Sequence, residues 1–64
     1  ILGGSTPNAA AQLEVSSTTM GFLPPRMTAT QRDAIVSPPD GLIVYNSTSN
    51  KLQVRSGGAW VDLH

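Results

Sequence analysis

Apolar positions are sparse in the first part of this chain and gather into three short runs near its C-terminal end. The segment Gln12-Leu13-Glu14-Val15-Ser16 alternates apolar and polar residues, a period of two that predicts a short strand. Ser17-Thr18-Thr19-Met20-Gly21 then reads as a turn. Phe22-Leu23-Pro24-Pro25-Arg26-Met27 carries tandem prolines, which donate no backbone hydrogen bond and favour extended geometry. This piece is therefore expected to be extended, and at the edge of a sheet.

Thr28-Ala29-Thr30-Gln31 has the spacing of a capping box, with Thr28 as N-cap and Gln31 reaching back to it. A short helix is predicted from about 29 to 35, ended by Ser37-Pro38-Pro39 because the residue before a proline resists helical angles. Asp40-Gly41 is a turn signal. The remainder reads as an antiparallel three-stranded meander. Its strands are Leu42-Ile43-Val44-Tyr45, Leu52-Gln53-Val54-Arg55 and Ala59-Trp60-Val61-Asp62-Leu63. Asn46–Asn50 makes the first connection, and Ser56-Gly57-Gly58 the second, where paired glycines permit positive φ.

Strand parity sorts these side chains onto two faces. Leu42 and Val44 share one face of the first strand, and Ile43 and Tyr45 the other, so both faces are apolar there. In the second strand Leu52 and Val54 form the apolar side, while Lys51, Gln53 and Arg55 read as the wet side. Trp60 opposes Val61 and Leu63 in the third strand. Such a sheet needs cover on both faces. The helix and the N-terminal segment are candidates for one, and a second subunit for the other.

Size sharpens this expectation. With 64 residues the chain forms one domain at most, and at this length apolar burial and lost conformational entropy nearly cancel. Small domains escape through disulfides, metals or oligomerisation. Cysteine is absent, which excludes disulfides and thiolate metal sites, and histidine occurs once, as His64, which disfavours a histidine metal site. Oligomerisation, or a larger parent protein, remains.

The net charge is zero and 12% of residues are charged, which leaves no basic footprint for nucleic acid. No apolar run approaches the length of a membrane-spanning helix.

Candidate chemistry is thin. Asp33, Asp40 and Asp62 could act as acid and base, but their simpler readings are a helix residue, a turn opener and a strand-face charge. No histidine other than His64 is available to activate a serine or threonine. Asn46-Ser47-Thr48 is a formal glycosylation sequon whose simpler role is hairpin geometry. Pro24-Pro25-Arg26 could serve as a polyproline ligand, against the simpler reading as an extended edge. Trp60 and Tyr45 could form a sugar platform, or pack in a core or interface. Arg26 could donate to a carboxylate of another subunit. No cofactor is implied, and no enzymatic activity.

A longer pattern adds to this reading. Leu13-Glu14-Val15-Ser16-Ser17-Thr18-Thr19-Met20-Gly21-Phe22-Leu23-Pro24-Pro25-Arg26-Met27-Thr28, then Gln31-Arg32-Asp33-Ala34-Ile35, Gly41-Leu42-Ile43-Val44-Tyr45-Asn46 and Gly58-Ala59-Trp60-Val61 resemble a module of phage-type tail fibres and other trimeric fibrous proteins. That module often stands upstream of a chaperone domain of the endosialidase type. Ser5-Thr6-Pro7-Asn8-Ala9 resembles the short linker repeat of such stalks. Two departures are Met20, where a polar residue is expected, and Ala10-Ala11, which lengthen the linker.

The resemblance implies a homotrimer in a virion fibre. Residues 1–12 would be an extended lead-in and 13–64 a single mainly β module. Its role would be a trimerisation or shaft element holding three chains in register. The alternative is a receptor-binding tip for host-surface carbohydrate or protein. Partners would be copies of itself, neighbouring fibre segments and, in the alternative, a receptor; nucleic acid and membrane insertion are not expected. The candidate interface or core residues are Leu13, Val15, Phe22 and Leu23 in the N-terminal part, Ile35 after the helix, and Ile43, Val44, Tyr45, Leu52, Val54, Trp60 and Val61 in the meander.

Overall fold

The computed structural model describes residues 8–64. Most of the lead-in expected over 1–12, and most of its linker-like motif, lies outside the described residues. The elements are β1 (Arg26–Met27), α1 (Ala29–Asp33), β2 (Ile43–Asn46), β3 (Lys51–Ser56) and β4 (Ala59–Asp62). The strands form one sheet in the order β1-β2-β3-β4. β1 pairs parallel with β2, and the other two pairings are antiparallel. The mainly β class, the three-stranded meander, the short helix and an N-terminal strand are all present.

The N-terminal strand forms later in the chain than its alternation predicts. Over Gln12–Ser16 only a single bridge residue, Val15, is present, and Leu13 and Val15 stay exposed. Two apolar side chains there find little to bury against among the described residues, and alternation without a covered face does not hold a strand. The paired strand follows the prolines instead. Pro25 donates nothing, but its carbonyl accepts the Tyr45 N–H at 2.8 Å, and the Met27 carbonyl accepts the Ser47 N–H at 2.8 Å. β1 thus lies at the edge of the sheet, where a proline-flanked strand is tolerated.

The capping box is complete. The Thr28 hydroxyl accepts the Gln31 N–H at 3.2 Å, and Gln31 Oε1 accepts the Thr28 N–H at 2.9 Å. The helix is shorter than the expected 29–35 and ends at Asp33 with Ala34 as C-cap. Asp33 is therefore the last helical residue. Beyond it the chain must reach Pro38, and Ser37 does so with a left-handed φ of 50°. At the other end the Ala29 N–H donates to Thr48 Oγ1 at 3.0 Å, which ties α1 to the β2–β3 turn.

That turn is built by Asn46, whose Oδ1 accepts the Thr48 and Ser49 N–H groups at 2.9 and 3.4 Å. The β3–β4 turn uses Gly57 and Gly58, both left-handed, at φ 61° and 79°. Two left-handed central residues match the twist of a two-residue hairpin. Asp40 accepts the Gly58 N–H at 3.2 Å, so the connection before β2 is fastened to the hairpin tip.

Nothing lies within 4 Å of a Cβ built on Gly58, so a substitution there is resisted by backbone conformation alone. Gly58→Val is expected to lower stability by about 1–2 kcal/mol, and Gly58→Asn by clearly less. Thermal midpoints of the three proteins at equal concentration check this; equal midpoints for Val and Gly would contradict the turn geometry.

Candidate oligomerisation surface

The register places Val44 opposite Gln53, Gln53 opposite Asp62, and Arg55 opposite Trp60. Directly opposed residues share a face, so Val44, Asn46, Gln53, Arg55, Trp60 and Asp62 stand together. This is the covered face. Val44 is 2% exposed and Gln53 6%. The reading of Lys51, Gln53 and Arg55 as the wet side is therefore overturned. The reason is the helix: α1 has no buried residue and covers this face with Arg32, a polar group that needs polar partners.

Those partners form a chain through one amide. Arg32 Nη1 donates to Gln53 Oε1 at 2.8 Å, and Asn46 Nδ2 donates to the same oxygen at 3.2 Å. Gln53 Nε2 donates to Asp62 Oδ1 at 2.6 Å. Arg32 also bonds Asp33 Oδ1, at 2.8 Å from Nη2, the one ion pair among the described residues. The guanidinium carbons of Arg32 and Arg55 lie 5.6 and 5.7 Å from the Trp60 ring centroid, within cation–π range.

The opposite face is apolar and open. Ile43 opposes Val54 and Val54 opposes Val61, giving one row across the sheet. Tyr45 opposes Leu52, and the same register continued by one residue brings Leu63 beside Leu52; the Leu63 N–H donates to the Leu52 carbonyl at 2.8 Å. Ile43, Val61 and Leu63 are exposed, whereas Tyr45, Leu52 and Val54 are half-buried. Each such side chain contributes about 1.5–3 kcal/mol when it passes fully out of water. The arm before β1 extends the patch: Phe22 and Leu23 are 69% and 67% exposed. With Pro24, Arg26, Tyr45, Leu52 and His64 they line an open groove of about 480 Å³. The N-terminal arm thus borders the open face and leaves the other to the helix.

Of the candidate residues, Ile43, Tyr45, Leu52, Val54 and Val61 stand on the open face, and Phe22 and Leu23 beside it. Val44 and Trp60 belong to the covered face. Ile35 is half-buried in the connection after α1, and Leu13 and Val15 are exposed earlier in the chain. Sequence reasoning missed Leu63 as a candidate, although its parity with Val61 was a usable signal, and it missed the Arg32–Gln53–Asn46–Asp62 network, for which no local signal exists.

Trp60 and Tyr45 stand on opposite faces, so they do not form one platform. The Asn46 side chain is 3% exposed and holds Gln53 and the turn, which fits hairpin geometry. Among the described residues no three His, Cys, Asp or Glu side chains gather to hold a metal ion, and no helix is long and apolar enough to cross a membrane.

A small sheet with one polar covered face and one apolar open face is a β-rich self-association module. The chain belongs to the phage tail like trimerisation region family, whose model matches residues 2–64. No curated protein and no solved structure matches it. Membership makes it a structural component of the phage tail type, with self-association as its activity.

If Gln53 organises the covered face, Gln53→Leu leaves Arg32, Asn46 and Asp62 short of a partner and costs about 1–3 kcal/mol. A residue on a wet face would change stability by only about 0.5 kcal/mol either way. Chemical denaturation of both proteins separates the two, and a near-silent Gln53→Leu would refute the network's role.

Proposed function

We propose that this chain is the shaft-type trimerisation module of a phage-type tail fibre, and that it holds three chains in register within the virion. The observation that carries this reading is the poverty of the core: among the described residues, Val44 is the one buried apolar side chain. A domain of this size without disulfides must bury apolar surface somewhere to offset the entropy of ordering. Burial between subunits supplies it, and the family match over 2–64 favours that source.

In this reading residues 13–64 form the module, 1–12 lead into it, and neighbouring fibre segments continue the stalk. The role is mechanical and not catalytic. Asp33, Asp40 and Asp62 each accept from a structural partner, respectively Arg32, the Gly58 N–H and Gln53, which suits scaffolding carboxylates. A receptor-binding tip draws less support, because the aromatic ring best suited to stacking, Trp60, already carries two guanidinium groups.

Light scattering across a dilution series tests the reading. The expected mass is three times 6.7 kDa, held to low micromolar, with a thermal midpoint that rises with concentration. A monomer mass with a concentration-independent midpoint would overturn it.

A further inference from the structure

We infer that the open sheet face is the surface turned toward the trimer axis, with two further copies of this chain as its occupants and β3 nearest the axis. The inference rests on the trimer reading above and adds which face does the work. The family match spans 2–64, so a surface that joins three chains lies within this sequence. Among the described residues the exposed large apolar side chains outside this face and its arm are Leu13, Val15, Met20 and Val36, which form no second sheet face. The other face is already occupied by Arg32 and the Gln53 network.

The chemistry of the face suits copies of itself. Two rows of three apolar side chains run across the sheet, Ile43-Val54-Val61 and Tyr45-Leu52-Leu63, the last just beyond β4, and Val54 and Leu52 of the middle strand sit at the centre of each. No charged side chain interrupts the rows. The one charge that shares this face, Arg26, pairs with Tyr45 at the β1 edge of the sheet. An apolar centre with charge confined to the margin is the composition of an interface core and its rim. Placing one such face from each of three chains around a closed threefold axis buries all three at once.

Cysteine is absent from the chain, so single-cysteine variants report position cleanly. Val54→Cys and Leu63→Cys, treated with a short trifunctional maleimide, are expected to give a covalent trimer as the main product. Thr30→Cys, exposed on α1 over the opposite face, is expected to give less than a tenth of that yield. Leu63 is half exposed, so Leu63→Cys keeps the test decisive if Val54→Cys does not fold. A trimer mass by light scattering together with linking at Thr30 and none at Val54 or Leu63 would overturn the face assignment and leave the trimer standing. A monomer mass for the unmodified chain would remove both.

Discussion

The Gln53 side-chain amide sets the organisation of this small protein. Its oxygen receives Arg32 from the helix and Asn46 from β2, and its nitrogen reaches Asp62 on β4. One side chain thereby joins the helix and the three meander strands. An amide can do this because it offers an acceptor with two lone pairs and a donor in fixed relation. A buried network of this kind is strong when every member is satisfied and costly when one is not. It therefore decides which side of the sheet is inside. The helix arrives with Arg32, and only the face bearing Gln53 and Asp62 can receive a guanidinium without stranding it.

The consequence falls on the other face. A domain of ordinary size would bury its apolar sheet face under helices and leave the polar one wet. Here the short helix is committed to the polar side, and no other element among the described residues is large enough to cover Ile43, Val54 and Val61. The single chain keeps its best apolar material outside. That arrangement makes little sense for a monomer and good sense for a chain that belongs to a trimerisation family. Polar bonds within the subunit specify the fold, and the apolar surface is left open.

Much of this was legible in the sequence where a local rule acts alone. The capping box at Thr28 and Gln31, the glycine pair at 57 and 58, and the proline-bound edge before β1 each follow from a residue type and a spacing. Parity also grouped Leu52 with Val54 and Val61 with Leu63 correctly. What parity cannot supply is which group faces inward, because that depends on what the covering element carries. Gln53 reads as solvent-facing by composition and is buried only because Arg32, 21 residues earlier, lands on it. The strand expected near Val15 failed for the related reason that alternation needs a surface to bury against.

The edges of the sheet bear on how such a chain assembles. An open sheet can associate through its faces or by adding strands at its edges, and edge addition continues indefinitely. β1 is two residues long and follows two prolines that offer no N–H, so little remains there to pair. β4 is four residues long, and beyond Leu63 the His64 side chain folds back, with Nε2 accepting the Leu52 N–H at 3.1 Å. Both edges are short, whereas the open face spans three strands. Association by the face stops at a fixed number of chains when the contact closes around a rotation axis. A fibre element has to join chains laterally without recruiting more, and the contrast between short edges and one broad apolar face meets that requirement.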